Sequence, residues 1–277
     1  MNEARKGALM TGLAMLDHPA WRIGHTGTAV RAVRVGDAVW LALVVPDGGI
    51  GCALARGSES APSVDVFAPA SVSGPAELIG PLCEAGPVVR LRNPDLWDAL
   101  GTSVIRQVIS APQARKLHRM FCEQFGDRID TPHGPVWLFP SPETVLGLPD
   151  RDIDALGLKF HRPKLRTAAR AYGEFGQKWA ELEPARLVTE VQGVRGIGPW
   201  TAAATGADVS NDFALYPYTD LAVRKWARHI APSLPWPDTK DVQGFGALWK
   251  RWAGERLSEL TALTLAWGVR HAAGAAV

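Results

Sequence analysis

Cysteine is scarce in this sequence. Three occur in 277 residues, Cys52, Cys83 and Cys122, at wide and irregular intervals. An odd, scattered set excludes a disulfide framework and indicates buried thiols in a reducing compartment. The protein must therefore be stabilised by a hydrophobic core, and its length and its 47% content of apolar residues are sufficient for one.

Long apolar runs and an export signal are also missing. No stretch of about eighteen apolar residues occurs, so we expect no membrane span and no membrane partner. Met1 to Lys6 is polar and leads into neither the apolar segment nor the cleavage pattern of a signal peptide. We therefore expect a cytoplasmic protein. Internal repeats and low-complexity segments are absent as well, which excludes solenoid and disordered classes.

A strong excess of one charge is the third absence. The net charge is +2, which by itself indicates no class of partner. Residues 1–88 carry six basic and eight acidic side chains, whereas residues 89–277 carry twenty-four and twenty. The basic excess lies in the second part. It is compatible with a polyanionic partner but too small to predict one.

Residues 1–88 have the pattern of a β-rich unit. Thr28 to Val35 alternates alanine and valine with arginine, Gly36-Asp37 is a two-residue turn, and Ala38 to Val45 is mostly apolar. This pattern predicts a β-hairpin. Ser63 to Phe67 predicts a further strand, and no residue here indicates chemistry.

From residue 89 onward the apolar period becomes helical. Asn93 is a predicted helix cap and Pro94 a predicted first helical residue. About nine or ten amphipathic helices follow, with starts marked by serine or proline at Ser110, Ser141 and Arg162-Pro163. We therefore predict an α+β fold, with an antiparallel sheet in residues 1–88 and a helical domain in residues 89–277.

The segment from Val191 to Ala203, VQGVRGIGPWTAA, predicts two short helices joined by a glycine turn. Gly193 is placed to end the first helix in a left-handed conformation, and Pro199 suits the first position of the second helix. Gly196 and Gly198 allow close approach of a ligand to the backbone.

Ile197, between these two glycines, can fill the gap between the helices. Outward amides of the turn and of the second helix would suit a phosphate oxygen, which favours a sequence-independent clamp on a DNA backbone. The alternative is that the glycines merely join two helices, which is common.

A second motif follows about twenty residues later, as Pro217-Tyr218-Thr219-Asp220. The two motifs at this spacing resemble the helix-hairpin-helix DNA glycosylases, in which a Pro-x-x-Asp segment after the hairpin carries the catalytic aspartate. The resemblance covers Asn93 to the C-terminus. It implies a small antiparallel sheet followed by an all-helical core of two subdomains, with the site in the cleft between them.

The resemblance also implies partners and cofactors. The expected partner is double-stranded DNA with damaged bases, bound by a nucleoid-associated monomer. Gly196, Gly198 and Thr201 would hold a phosphate, and Na⁺ or K⁺ would sit behind carbonyls of the turn, that of Val194 among them. Some members bind an iron–sulfur cluster through four C-terminal cysteines; none follows Cys122, so we expect no such cofactor.

Asp220 is the predicted catalytic residue. Hydrolysis of an N-glycosidic bond passes through a sugar with oxocarbenium character, and a nearby carboxylate stabilises that charge and orients or deprotonates water. The alternative is that Asp220 only caps the helix that begins at Leu221. The Pro-x-x-Asp spacing behind the glycine turn favours catalysis.

Trp200 indicates the subclass. Bifunctional members of the family place a Schiff-base lysine two residues after the second hairpin glycine, and Trp200 stands there instead. We therefore predict a monofunctional enzyme without lyase activity. Trp200 resembles the indole that alkylpurine glycosylases place beside the flipped base, and Trp267 resembles their second pocket aromatic. Indoles suit a cationic alkylated purine, although core packing is an alternative for both Trp200 and Trp267.

Two positions depart from the alkylpurine branch: Ala204 replaces an expected tyrosine, and Glu259 replaces an expected arginine. Tyr216 and Tyr218, which flank Asp220, would compensate in the base pocket. Lesion preference therefore stays open, with uracil, hypoxanthine or a bulky adduct as alternatives. A non-catalytic lesion-binding module and a lyase with a lysine elsewhere are further alternatives.

The segment Gln107-Val108-Ile109-Ser110 matches a family junction that supplies the side chain entering the DNA stack where the base leaves. Val108 or Ile109 would be the apolar wedge, and Gln107 would face the opposite strand. The alternative is that Val108 and Ile109 are core residues at a helix end.

Overall fold

The computed structural model describes residues 12–45 and 48–274. Met1 to Lys6, where we expect no export signal, lies outside the described residues. The described strands are β1 Leu13–Ala14, β2 Arg22–Ile23, β3 Ala29–Val35, β4 Ala38–Val44, β5 Ile50–Arg56, β6 Val64–Phe67, β7 Val88–Leu91, β8 Arg128–Ile129 and β9 Val136–Trp137.

An antiparallel sheet of order β2-β3-β4-β5 forms most of the N-terminal part. The predicted β-hairpin is confirmed, since β3 and β4 pair from Val30↔Leu43 to Val35↔Ala38. The strand predicted at Ser63 is also confirmed as β6. It belongs to a second sheet of order β1-β7-β6.

The two sheets enclose a common apolar core. Trp21 and Trp40 of the first part pack there with Val89 and Leu91 of β7. Because β7 begins at Val88 and ends at Leu91, the polypeptide leaves this sheet after residue 88. The domain boundary at 88 stays a prediction.

Eleven α-helices are present in the described residues, one before β7 and ten after it. They are α1 Ala76–Ala85, α2 Leu96–Ile105, α3 Ala111–Phe125, α4 Pro142–Gly147, α5 Asp150–Ala155, α6 Arg162–Ala180, α7 Pro184–Gln192, α8 Pro199–Ser210, α9 Leu221–Ile230, α10 Val242–Ala253 and α11 Leu257–Gly274. None of them combines the length and the apolarity that a membrane span needs.

The helices divide between two hydrophobic cores, as the predicted fold class requires. One core includes Phe121 of α3 and Leu165 of α6, and the other includes Phe245 of α10 and Leu263 of α11. Helix α8 belongs to both, because Ala202 packs in the first core and Ala207 in the second. The start of α8 therefore lies where the two helical groups meet.

Two local predictions are wrong. Asn93 does not cap α2; Asp95 does, because its side chain accepts from the amides of Trp97 and Asp98. Asn93 is buried and donates instead to carboxylates. The expectation of buried thiols fails for Cys83, which is exposed, whereas Cys122 is buried.

Candidate active site

The predicted glycine turn joins α7 and α8. Gly193 has φ −66°, so the prediction of a left-handed residue there is wrong. The left-handed residue is Gly196, with φ +88°, a conformation that favours glycine. Ile197 is 4% exposed and packs in the core that contains α3 and α6, so it fills the gap between the helices as expected.

The second half of the turn opens to the outside. Gly198 precedes α8, and no atom lies within 4 Å of where its Cβ would be. Pro199 occupies the first turn of α8, as predicted. Thr201, by contrast, is 2% exposed. Its hydroxyl therefore faces protein, and a phosphate at this turn would meet backbone amides.

The segment Gln107–Ser110, which we name the wedge loop, follows α2. Val108 is 87% exposed and has φ +60°, an outlier for a β-branched residue. Ile109 is half-buried and packs against the core that contains α3 and α6. The structure thus distinguishes the two wedge candidates. Val108 projects from the surface, whereas Ile109 packs against the core.

Gln107 connects the wedge loop to the glycine turn. Its Nε2 donates to Thr201 Oγ1 at 2.7 Å and to the carbonyl of Gly196 at 3.4 Å. Its Oε1 accepts from Lys164 Nζ at 2.6 Å. With the side chain 7% exposed and both ends occupied, Gln107 fixes one loop against the other. Its contact with an opposite DNA strand stays a prediction.

Asp220 immediately precedes α9 but does not cap it. Its side chain accepts no hydrogen bond from the first turn of the helix, although its backbone is at the N-cap position. Its Oδ2 instead accepts from the Tyr216 hydroxyl at 2.9 Å. The capping alternative therefore does not describe this side chain, which is half-exposed.

Tyr216 lies beside this carboxylate, and Trp200 packs on Tyr216. Their rings meet edge to face with centroids 6.5 Å apart, and the guanidinium of Arg106 lies 5.8 Å from the centre of the Trp200 ring. Tyr218 lies under the ammonium of Lys250, at 5.4 Å. The structure thus places the three predicted aromatic residues Trp200, Tyr216 and Tyr218 at one hydrophobic core.

Trp267 has a different environment. Its ring stacks on His271 at 3.4 Å and meets Trp226 edge to face at 6.3 Å. Trp226, which we did not single out from the sequence, lines the cleft described next. The role of Trp267 in the base pocket stays a prediction.

A cleft of about 1020 Å³ opens beside Tyr216. Its walls come from α3, α8, α9 and α11 and from the segment around β1. Several cationic side chains line it: Arg22, Arg90, Arg106, Arg115, Lys116, Arg119 and Arg270. Asp17, Asp208 and Glu123 are the acidic ones. The cleft is large enough for a nucleobase and carries positive charge, which suits an anionic polymer.

A buried cluster that the sequence did not reveal joins the sheets to the helices. We name it the polar junction; its members are His18, Arg31, Arg90, Asn93, Asp98, His118, Asp208 and Asn211. Arg31 donates to Asp98 at 2.9 Å. Arg90 donates to the carboxylate of Asp208 and to the side chain of Asn211. No local pattern indicates these pairs, since their members are far apart in sequence.

Three residues of the polar junction have metal-binding side chains. Ligand atoms of His18, Asp98 and His118 all lie within 4.8 Å of one another. However, His18 Nδ1 accepts from the amide of Ala20, so the proton of the neutral ring is on Nε2, and Arg31 already neutralises Asp98. The arrangement is that of an ionic network and does not fit a metal ion.

The carbonyl of Val194, a predicted cation ligand, accepts the amide of Ile197 at 2.9 Å. A carbonyl oxygen has two lone pairs, so this atom can still bind an alkali ion. The geometry is compatible with the predicted site, which stays a prediction.

Comparison with known proteins matches this architecture. No family model matches the chain. A curated relative, the DNA-3-methyladenine glycosylase of Bacillus subtilis, is 26% identical over 163 residues. The match covers 57% of this chain and 54% of the relative, so the chain spans about half the length of the relative it matches.

Solved structures match over nearly the whole chain. The 3-methyladenine DNA glycosylase from Archaeoglobus fulgidus has a TM-score of 0.67 with 15% identity, covering 96% of this chain and 98% of that one. This likeness shows that the chain has the fold of that glycosylase.

Two further solved structures are similar. MBOgg1, in complex with a low-affinity DNA ligand, has a TM-score of 0.65 and 16% identity over 99% of this chain and 98% of its own. The 8-oxoguanine glycosylase/lyase of Clostridium acetobutylicum, bound to DNA, has a TM-score of 0.64 and 14% identity over 91% and 88%. These likenesses support the fold and extend through the N-terminal sheet.

Proposed function

We propose that this chain is a monofunctional DNA glycosylase that acts as a monomer and releases alkylated purines flipped out of duplex DNA. The observation that carries the proposal is the carboxylate of Asp220. It precedes a helix without capping it, is half-exposed, and accepts a hydrogen bond from Tyr216, whose ring meets that of Trp200. A carboxylate in this position suits stabilisation of a developing positive charge at C1′.

The other residues have distinct tasks in this reaction. Backbone amides at Gly196 and Gly198 hold a phosphate, and Val108 fills the space that the base leaves in the stack. Trp200 receives the base, and Asp220 stabilises the sugar cation while water attacks. No step requires an organic or redox cofactor.

The absence of lyase activity follows from Trp200, which stands where a Schiff-base lysine would be. Lys164 lies close to the turn, but its amine donates to Gln107. Lys116 lines the cleft. Borohydride treatment during turnover would trap a covalent protein–DNA adduct if either lysine formed a Schiff base, and we expect no adduct.

The decisive experiment is a panel of duplexes that each carry one lesion: 7-methylguanine, 1,N6-ethenoadenine, hypoxanthine, uracil or 8-oxoguanine. We expect release of the alkylated purines. Asp220→Asn should lower the rate by at least about a hundredfold while duplex binding is retained. Full activity of this variant would contradict the mechanism. Binding without release by the wild type would favour a lesion-binding module.

A second candidate is the same reaction on uncharged lesions such as hypoxanthine, uracil or 8-oxoguanine. The position of Arg106 over the Trp200 ring favours it, because a guanidinium there would repel a cationic purine by about 1–3 kcal/mol. The 8-oxoguanine glycosylase/lyase of Clostridium acetobutylicum, which has a similar fold, supports this candidate less directly. Release of uncharged bases alone would replace the alkylpurine assignment and leave the glycosylase assignment intact.

The predicted grip on the DNA backbone has its own test. Affinity for an undamaged duplex should fall with salt, with a slope of about −0.9 per phosphate neutralised. Binding that does not change between low and high salt would count against a phosphate clamp at the glycine turn.

A further inference from the structure

Asp220 differs from most of the acidic or hydroxyl residues that precede helices in the described part of the chain; Glu183, before α7, is the other one that makes no capping bond. Asp95, Ser110, Ser141 and Asp241 each accept an amide hydrogen bond from the helix they begin. Asp220 has the equivalent backbone position and makes no such bond. Its side chain must therefore be held in its rotamer by something other than the helix.

The hydroxyl of Tyr216 is in place to do this. It donates to Asp220 Oδ2 at 2.9 Å. Within the described residues this is the one hydrogen bond of the Asp220 side chain, so Oδ1 stays available. One oxygen is anchored and the other is free to face a substrate.

Tyr216 is itself held rigidly. Its side chain belongs to the core around α10 and α11 and is 7% exposed. Its ring packs against Phe213 at 6.0 Å and against Trp200 at 6.5 Å. A hydroxyl on a ring fixed in this way offers its proton in one direction, which makes it a rigid anchor for a flexible carboxylate.

The hydroxyl also keeps its proton. Burial and the negative charge of Asp220 raise the pKa of Tyr216 well above its ordinary value. Tyr216 is therefore a hydrogen-bond donor at any pH at which the protein works. It stabilises the ionised carboxylate without competing for its charge.

We propose that Tyr216 is a positioning residue, whose hydroxyl fixes the Asp220 carboxylate so that its second oxygen faces the anomeric carbon of a flipped nucleotide. This inference rests on the proposed function. It assigns to the tyrosine a task distinct from lining a base pocket: the hydroxyl acts through Asp220, and the ring supplies the support.

The test is Tyr216→Phe, which keeps the ring and removes the hydroxyl. Single-turnover release of 7-methylguanine from a duplex is measured together with the Kd for a duplex that carries a tetrahydrofuran abasic analogue. We expect the rate to fall about 10-fold to 100-fold, the usual range for loss of a hydrogen bond to a charged group, with Kd within about twofold. A change in Kd equal to the change in rate would mean a structural role and overturn the proposal.

Tyr172→Phe is the matched control, because Tyr172 packs on Trp97 in the other helical core, away from the cleft. It should leave rate and Kd unchanged. A thermal melt of each variant confirms the fold. A rate of Tyr216→Phe within twofold of the wild type would overturn the assignment to Tyr216 alone. Absence of release by the wild type from every duplex of the panel would overturn the proposed function, and this inference with it.

Discussion

Asp98 and Asp220 are the same chemical group in opposite environments. Asp98 is 7% exposed and accepts hydrogen bonds from Arg31, Asn93 and Thr102 at 2.9, 3.1 and 3.0 Å. Asp220 is half-exposed and accepts from the Tyr216 hydroxyl. The first carboxylate has its hydrogen-bonding capacity filled by the protein, whereas the second has capacity to spare.

The two environments suit different roles: that of Asp98 suits a structural carboxylate, and that of Asp220 suits a catalytic one. Burial alone would raise the pKa of Asp98, but His18, the hydrogen bond from His118 and the guanidinium of Arg31 outweigh it and hold that pKa well below its ordinary value. Such a carboxylate joins the sheets to the helices and cannot turn to a substrate. We therefore expect substitutions at Asp98 to change stability and substitutions at Asp220 to change catalysis.

The matched pair Asp98→Asn and Asp220→Asn should show the largest effect. Loss of the Asp98 charge leaves Arg31 buried without its partner and should lower the free energy of unfolding by about 3–5 kcal/mol. Asp220→Asn should change it by less than about 0.5 kcal/mol. Urea unfolding measures both. Equal destabilisation by the two variants would contradict the assignment of a structural role to Asp98 and a catalytic role to Asp220.

The second-largest effect on stability should come from acidification, which acts on the polar junction. Burial lowers the pKa of both His18 and His118, so the unfolded chain binds more protons than the folded one below about pH 6.5, the ordinary histidine value. Stability is therefore complete above that pH and falls as the pH decreases, by up to about 1.4 kcal/mol per pH unit for each histidine. Urea midpoints between pH 8 and pH 5 measure this, and a constant midpoint would contradict it.

Substitution of Val108 in the wedge loop should have the smallest effect on stability, and this effect should be a gain. Val108→Gly removes the strain of φ +60°, and the added freedom of the unfolded chain offsets part of this gain, so we expect about 1 kcal/mol more stability. Base release should decrease, because the wedge is lost.

Val108→Ala is the matched control for this prediction. Alanine keeps the strained backbone and loses most of the wedge, so release should fall without a gain in stability. If glycine lowered stability, the strain would not be real; if release were unchanged in both variants, Val108 would not be the wedge.

Several features of the site could be predicted because their signals are local. Little more than helix α8 and the turns at its two ends separates Gly196 and Ile197 from Asp220. Their spacing along the chain therefore already determines their approximate arrangement. The position of the wedge loop between two helices was also predicted, but that position did not decide which of Val108 and Ile109 is exposed. Gln107 shows the limit: nothing in the local pattern indicates that its side chain is buried and bonded to Thr201 and Lys164.

The amino-acid sequence by itself determined the β-hairpin, the succession of helices, the glycine turn and the position of Asp220, because each depends on dihedral preferences and periodicity over a few residues. Only the tertiary structure decided that Asp98 is tied to Arg31, that Trp226 lines the cleft, and that Tyr216 holds Asp220 away from its helix. The physical reason is that such contacts depend on which surfaces pack together, and a hydrogen bond between residues 67 positions apart leaves no trace in the local pattern.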